Sequence, residues 1–472
     1  MNDIDHIESK VEFKPEASKL AKSMTSKGPL SEKLKELLRV RFVIMVISIE
    51  CKNLSKCIQY LYKFPSISTY LKGLVRAFSD DPDDSNRKCY SCSPIVKLSN
   101  LTDEGKEALK MLKEEYGAEI SERGACVCYD QLSYRHVFEM AIPQALIPTA
   151  FEQVGHLIHF NLKEEQLPYK YFIGTVMVDK IQRARTVVNK IGTIENEFRV
   201  LPMECIGGED NYICKVSEQG CKFKLDFSKV YWNSRLSHEH ERIVQIAFTG
   251  SVVADVFCGV GPFAIPFAAR RRCYVHANDL NPYSYEALNT NIALNKVSDL
   301  VTSYNLDGRG FIKKVAAFKP NYYIMNLPAI AMSFLDAIAE SNAKEWKPII
   351  FLYCFSRGRE GDDTAGIQPL RHPWSIEADV VLRIVRVLFG VDISPMLPGS
   401  SVAADGSSVE YNGDPKMLEE VAMTLKRKYF GRNIDIHNVR SVSPRKTMCC
   451  AQFAFYDRTL AVPEPPEMKH KP

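Results

Sequence analysis

Apolar and polar positions fall into repeating blocks over the second half of the chain. Val252-Val-Ala-Asp255-Val-Phe257 is a short apolar run, Cys258-Gly-Val-Gly-Pro-Phe263 interrupts it, and Ala264-Ile-Pro-Phe-Ala-Ala-Arg270 resumes at helical spacing. An unbroken apolar run that ends in glycines predicts a strand buried on both faces, followed by a loop and a helix. Cys273–Asp279 predicts a second strand, and Leu280-Asn281-Pro282 opens a helix with Asn281 as N-cap and Tyr285, Leu288 and Ile292 on one face. Leu300–Tyr304 and Asn321–Met325 read as the third and fourth strands, with a helix over 329–340. An amphipathic helix over Ile376–Phe389, a helix over Lys416–Tyr429 and strands at Asp435–Val442 and Met448–Tyr456 follow. The alternation predicts an α/β fold: a Rossmann-like doubly wound sheet of seven strands with one antiparallel edge.

The glycine loop is where chemistry enters. Gly259 and Gly261 admit backbone angles that let the chain approach a ligand closely, and Pro262 suits the first turn of the helix. Read literally, Gly259-Val-Gly261-Pro-Phe-Ala264 satisfies the dinucleotide fingerprint, so an NAD-binding oxidoreductase is one reading. Asp255, inside the strand before the loop, repels a pyrophosphate and attracts a cation, which favours S-adenosylmethionine (SAM) and a methyltransferase. A ligand-free tight turn is the plain alternative. Asp279 lies about twenty residues beyond the glycines, where an acid accepts hydrogen bonds from ribose hydroxyls. Asp307, at the end of the third strand, has two readings: holding the adenine amino group, or capping the helix that follows. Leu280 and Gly308, each next to one of these acids, complete the expected cofactor-binding stretch. Asn326-Leu-Pro-Ala329 ends the fourth strand, where ligands of doubly wound sheets meet the chemistry. It lacks the second proline and the aromatic residue typical of exocyclic-amine methyltransferases, which points to a ring nitrogen or another acceptor.

Taken together, these residues resemble the eukaryotic and archaeal tRNA guanine-37 N1-methyltransferases. The resemblance is carried by Phe227-Ser-Lys-Val-Tyr-Trp-Asn-Ser-Arg-Leu-Ser-His-Glu-His-Glu-Arg242, Asp255–Phe263, Asn278-Asp-Leu-Asn-Pro282, Asn305-Leu-Asp-Gly308, Met325-Asn-Leu-Pro328 and Val439-Arg-Ser-Val-Ser-Pro444. It implies a class I SAM-dependent methyltransferase domain behind an N-terminal α/β RNA-binding region, acting on the anticodon loop of tRNA at guanosine 37. It further implies that Glu239 is the general base, that Arg199 stabilises the base oxygen, that Tyr231 and Asn326 position the guanine, and that His240 contacts SAM. Guanine N1 carries a proton at neutral pH, so a base and an oxygen donor are what the reaction requires. Where the family has Asn-Pro-Arg, this chain has Asn233-Ser234-Arg235. A different SAM-dependent RNA methyltransferase and a non-catalytic tRNA-binding scaffold are the further alternatives.

Composition sets the frame. The chain has 472 residues, 46% of them hydrophobic, and a formal net charge of +4, enough for two or three domains and too weak a charge to identify a nucleic-acid surface by itself. The expected footprints are local: Arg270-Arg-Arg272, Lys313-Lys314, Lys426-Arg-Lys428 and Arg445-Lys446. Fourteen scattered cysteines and no secretory signal predict free thiols, and the one metal-like arrangement is Cys89, Cys92, Cys126 and Cys128, although no metal is expected. The run Phe42–Ile49 is far too short to cross a membrane. The expected layout is a tRNA-recognition domain over 1–130, with 1–30 disordered, and a middle domain over 131–228. A SAM-binding domain follows over 229–460, with a partly flexible insertion near 356–416, and a disordered tail over 461–472. By the resemblance, the first domain recognises the tRNA elbow and the enzyme is a monomer. The resemblance also implies nuclear, cytoplasmic and mitochondrial tRNA pools, although residues 1–30 show no Arg-rich presequence.

Overall fold

A computed structural model describes residues 11–68, 78–92, 96, 101–192, 200, 202–341, 346–356, 374–403, 405–406, 408–411, 413–431, 433–443 and 446–454. The tail over 461–472 and Arg199 lie outside them. By contacts the chain forms two units, residues 1–193 with 201–212, and residues 194–200 with 213–472.

The first unit opens with helices α1 (Pro15–Lys22) and α2 (Glu32–Leu37), the second capped by Ser31 Oγ on Leu34 N. Residues 11–30 are thus ordered where the sequence suggests disorder. Ala17, Ser18 and Ala21 form a narrow buried face on α1, and Ser18 Oγ lies 2.8 Å from Tyr169 Oη; such small side chains carry little hydropathic signal. Strand β1 (Val40–Glu50) takes up the apolar run around Phe42. Helices α3 (Leu54–Leu61) and α4 (Pro65–Ser68), strands β2 (Phe78–Asp80) and β3 (Arg87–Ser91), helix α5 (Asp103–Tyr116) and strand β4 (Glu119–Val127) follow. They give an antiparallel sheet of order β2-β3-β1-β4. After α6 (Tyr134–Ala141) comes a second sheet of order β5-β6-β7-β8, from β5 (Glu152–Val154), β6 (Leu157–Phe160), β7 (Thr186–Lys190) and β8 (Met203–Gly208), crossed by α7 (Lys170–Lys180). One apolar cluster draws on both sheets, from Val40, Phe42 and Val127 through to Phe172, Val187 and Ile206, so the boundary expected near residue 130 falls inside a shared core. Cys89 pairs with Ser48 and Cys126 with Arg41, rungs seven residues apart on β1. That separates Cys89 from Cys126 by roughly 23 Å along β1, and Cys92, whose N–H donates to Met45 O, is still about 13 Å along it from Cys126, so the four thiols do not converge.

The second unit begins with the hairpin β9 (Ile213–Glu218) and β10 (Cys221–Asp226). The sequence-based boundary near Lys229 therefore moves upstream. Asn291 and Asn295 explain why: their Oδ1 atoms accept from Lys224 N and Lys222 N, both at 2.8 Å, and bind the hairpin to the 282–294 helix of the doubly wound domain and the residue that caps it. Helix α8 (Ser237–Ile246) leads to β11 (Val252–Asp255), α9 (Ala264–Arg271), β12 (Tyr274–Asn278), α10 (Pro282–Leu294), β13 (Val301–Tyr304), α11 (Gly308–Val315) and β14 (Tyr322–Met325). Next are α12 (Leu335–Ser341), β15 (Ile349–Ser356), α13 (Ile376–Phe389), β16 (Ser401–Val402), β17 (Val409–Glu410), α14 (Pro415–Phe430), β18 (Ile434–Ser443) and β19 (Lys446–Ala454).

The sheet has seven strands in the order β13-β12-β11-β14-β15-β19-β18. Strands β13 to β15 are mutually parallel, while β19 runs antiparallel between β15 and β18. The antiparallel strand is thus inside the sheet rather than at its edge, because β18 turns back and adds the last strand. Helix α9 starts at Ala264, two residues after Pro262, which lies in the turn instead of the first helical position. On α10, Leu288 and Ile292 are buried with Ser284 and Asn291, and Tyr285 is half-buried. Helix α13 is buried nearly all round, and its Arg383 is satisfied internally by Asp379 and by Phe355 O at 2.7 Å. Ile393, Leu397, Val409 and Tyr411 join the same core, so the described part of the expected flexible insertion is packed structure.

Asp255, at the end of β11, is completely buried; neither carboxyl oxygen has a hydrogen bond of full geometry, and the backbone amides of Phe257 and Ala264 are the groups turned towards it that favour its charged form. Burial raises its pKa well above the ordinary 3.8, and the charge of Asp279 pushes it the same way. The folded protein therefore keeps this proton while the unfolded chain loses it above about 3.8, so its contribution to stability falls as pH rises from there towards the folded value. Asp255→Asn is expected to raise the melting temperature of the ligand-free protein, and by more at pH 8 than at pH 5; a gain that does not grow with pH would refute the assignment. In the first unit, a Cβ at Gly174 on α7 would lie 2.1 Å from Ile206 O on β8. Gly174→Ala is expected to cost at least about 2 kcal/mol in urea unfolding, since a backbone oxygen cannot step aside.

Candidate active site

A cavity of about 390 Å³ opens at the carboxyl ends of β11 to β14, where ligands of such sheets bind. Its wall is built strand by strand. After β11 come Phe257, Cys258, Gly259, Val260, Pro262 and Phe263; after β12, Asn278, Asp279, Leu280 and Asn281. Asp307 and Gly308 follow β13, and Asn326, Leu327 and Pro328 follow β14.

The two glycines of the loop have different tasks. Gly259, at φ +56°, lines the cavity and donates its N–H to Asp279 Oδ2 at 2.8 Å. Gly261, at φ +97°, is not part of the lining, and a Cβ there would collide with Ile265 and Leu288. It serves packing of α9 on α10. Asp255 is not part of the lining either, so it does not face a ligand as the sequence suggests; it supports the loop from behind.

Asp279 accepts from Gly259 N and, through Oδ1, from Asn281 N at 2.9 Å. Burial raises its pKa, with these amides opposing. Asp307 combines its two expected roles in one position. Its Oδ1 caps α11 on Arg309 N at 2.9 Å and Gly310 N at 3.3 Å, while the residue is exposed to the cavity. Gly308 is tightly framed, since a Cβ would meet Phe334 at 2.9 Å and Phe257 at 3.1 Å.

The other side of the cavity is formed by Tyr231, Trp232, Asn233 and Leu236 ahead of α8, His240 on α8, and Arg440, Val442 and Met448 from the last two strands. Tyr231 is half exposed, with Asn233 Nδ2 donating to its hydroxyl at 3.2 Å. His240 is buried, its ring edge-on to Phe263 at 4.6 Å and its Nδ1 2.6 Å from Glu218 Oε1. Leu280 sits at the rim, 40% exposed. Sequence reasoning missed Glu218 and Phe334, which come from elements remote in the chain and carry no spacing signal, and attached no role to Phe257 or Met448, which lay within quoted segments. Arg440 and Val442 lay within a quoted motif but had no role attached.

Glu239, one residue before His240, points away from the cavity. It is 6% exposed, and both its oxygens are occupied. Arg242 forks onto it, Nε to Oε2 at 2.7 Å and Nη2 to Oε1 at 2.8 Å; Tyr353 Oη donates to Oε1 at 2.8 Å; His437 Nε2 is 3.6 Å from Oε2. The structure therefore brings Tyr231, His240, Gly259, Asp279, Leu280, Asp307, Gly308 and Asn326 around one cavity and sets Glu239 behind it.

The basic clusters are largely committed within the fold. Arg270 pairs with Glu241, Arg271 donates to Val244 O at 3.1 Å, and Arg272 lies 3.7 Å from Asp299. Lys426 pairs with Glu377, and Lys314, Lys428 and Lys446 stand over the rings of Tyr304, Tyr429 and Phe355. Arg270 and Arg271 accordingly tie α9 to α8, whereas Arg272 makes an exposed pair with Asp299.

Comparison with known proteins agrees with this architecture. The TRM5/TYW2 methyltransferase domain matches residues 214–359, and the TYW2 N-terminal domain matches residues 135–211. A tRNA (guanine(37)-N(1))-methyltransferase of Phytophthora infestans is 35% identical over 413 residues, covering 82% of this chain and 97% of the relative. One of Danio rerio is 33% identical, covering 87% of this chain and 79% of the relative. Among solved structures, the complex of aTrm5 and tRNALeu shares the fold, with a TM-score of 0.55 at 20% identity, over 87% of this chain and 99% of that one. With its glycine loop, strand-end acids and cavity in the places such a domain requires, the chain belongs to the tRNA (guanine(37)-N1)-methyltransferase family.

Proposed function

We propose that the cavity holds SAM with its ribose over Asp279 and its adenine beside Asp307, and that the methyl group passes to N1 of guanosine 37 in the anticodon loop. As a member of the family, the chain is a SAM-dependent tRNA methyltransferase. The observation that carries the reading is the order of groups along the strand ends: an acid after β13, an acid after β12, the glycine loop after β11 and Asn326 after β14, all lining one cavity. The residues fit the cofactor. Asp307 Oδ2 is not used by the helix cap and suits an amino donor, and the floor near Phe257, Phe334 and Leu327 is apolar.

Bound SAM supplies an electrophilic methyl group on a sulfonium. Tyr231 and Asn326 line the cavity, Tyr231 half exposed, and would orient the guanine ring for attack through N1. Glu239 then takes the N1 proton, since nitrogen attacks only as its proton leaves. In the free protein Glu239 is held back by Arg242 and Tyr353, so its delivery requires the carboxylate to leave the guanidinium fork. A carboxylate released from a cationic partner into an apolar site gains basicity, which suits proton abstraction from a weak acid. Arg199 is assigned to the guanine oxygen by the resemblance. The enzyme acts as a monomer on cytoplasmic, nuclear and mitochondrial tRNA in this reading. Where wyosine-type bases are made, its product on phenylalanine tRNA is the first intermediate, a reading favoured by the TYW2 N-terminal domain match.

Two outcomes are expected. Labelled SAM should methylate a transcript with guanosine at position 37 and not one with adenosine there, with the product mapped to N1; Glu239→Gln should lower the single-turnover rate by about 10²–10⁴ while SAM still binds. Equal methylation of both transcripts would sink the target assignment. Arg242→Gln should destabilise the protein by about 2 kcal/mol, since it leaves a buried carboxylate without its counter-charge. The double variant with Glu239→Gln should recover part of that loss in a double-mutant cycle, and strict additivity would show that the fork is not an energetic unit.

A further inference from the structure

The strand order sets the direction in which the cofactor lies. With the nucleoside over Asp307 and Asp279, behind β13 and β12, the amino-acid end extends past the glycine loop of β11 towards α8 and β14. The ionisable acidic and basic side chains in the cavity wall are His240, Asp279, Asp307 and Arg440. Arg440 belongs to β18, beside Met448 and Val442, whereas His240 is on α8 and packs on Phe263 of the loop itself. His240 is therefore the basic group at the end where an α-carboxylate arrives.

This histidine is not free to turn. Its Nδ1 lies 2.6 Å from Glu218 Oε1, and the two side chains are 4% and 7% exposed. Glu218 is the last residue of β9, and its hairpin is locked on two sides. Asn291 of α10 and Asn295, which caps that helix, accept from Lys224 N and Lys222 N, and Gln219 Nε2 donates to Ser237 O, at the start of α8, at 2.8 Å. With Nδ1–H committed to Glu218, Nε2 is the ring nitrogen left for a ligand.

We propose that Glu218 is a positioning residue through which His240 recognises the α-carboxylate of SAM, with Nδ1–H donating to Glu218 and Nε2–H donating to the cofactor. The imidazole then bridges two carboxylates, one from the protein and one from the ligand. The hairpin that opens the second unit thereby becomes part of the cofactor site, with Glu218 one residue behind the lining. The inference rests on the nucleoside lying over Asp279 and Asp307.

The test compares two ligands that differ at this end. S-adenosylhomocysteine carries the amino-acid group, and methylthioadenosine keeps adenine, ribose and sulfur without it. Isothermal titration of the full chain with each should show Glu218→Gln losing about tenfold or more in affinity for S-adenosylhomocysteine while methylthioadenosine binds as in the wild type, since a hydrogen bond between charged groups is lost. An equal loss for both ligands would make Glu218 a general support of the fold, and no loss for either would remove it from the site; both overturn the proposal. If Glu218→Gln yields no folded protein, His240→Gln carries the same comparison, with selective loss in support and parallel loss against. Wild-type protein that binds neither ligand would overturn the cofactor placement and this inference with it, a result distinct from a variant that fails selectively.

Discussion

Parallel strands end in loops whose backbone groups have left the sheet ladder, and here one side chain pair collects them. Asn278, buried at the end of β12, donates through Nδ2 to Val256 O at 3.1 Å and Leu306 O at 3.0 Å, and accepts from Leu306 N at 2.9 Å. Its own carbonyl accepts from Cys258 N at 2.7 Å, and the next residue, Asp279, accepts from Gly259 N. Two neighbouring residues thus join the loops after β11, β12 and β13 into one surface. Unpaired buried backbone groups cost on the order of 1–3 kcal/mol each, so these bonds decide whether the cavity wall exists at all. The site residues on those loops inherit their positions from this staple.

A second constraint governs the chemistry. Glu239 and His240 are adjacent on α8, yet each is tied to a different part of the unit: Glu239 to Arg242 on its own helix and Tyr353 on β15, His240 to Glu218 on β9. Successive helix positions point about 100° apart, which is why one faces the cavity and the other faces the sheet. The same helix therefore presents one of these two side chains to the cavity and holds the other behind it. Tyr353 is itself fully buried, and burial together with the nearby Cys450 and Glu239 raises its pKa well above the usual tyrosine range, which keeps it a hydrogen-bond donor across the working pH range.

How much of this was legible in the chain depended on range. The glycine loop, Asp279, Asn281 with Pro282, and the helix cap at Asp307 were readable because each depends on neighbours a few residues away. The sheet was readable as alternating blocks, but the place of its antiparallel strand was not, since Met448–Tyr456 looks the same at an edge or inside it. Asp255 was misread for a related reason: a carboxylate in an apolar run signals either a ligand or a buried neutral acid, and only three-dimensional burial separates the two. Helix α1 was hidden by the smallness of its buried face; α13 was readable as a helix, but its nearly complete burial was masked by an arginine that looks solvated until Asp379 and Phe355 O are seen to satisfy it. Glu218 had no local signature at all, being separated from His240 by a hairpin turn and a long loop.

The acids of the second unit show what the fold must balance. A cationic ligand needs negative potential nearby, but several buried carboxylates in one small volume repel one another and resist desolvation. The four acids solve this differently. Burial holds Asp255 in its neutral form, Asp279 is met by two backbone amides, Glu218 by His240, and Glu239 by Arg242. Only Asp307, after β13, is left exposed with an oxygen outside its helix cap. The negative charge around the cavity is therefore held by fixed hydrogen bonds instead of loose carboxylates. A carboxylate withdrawn from such a partner loses the cation that satisfies it, and that is the cost any movement of Glu239 away from Arg242 has to meet.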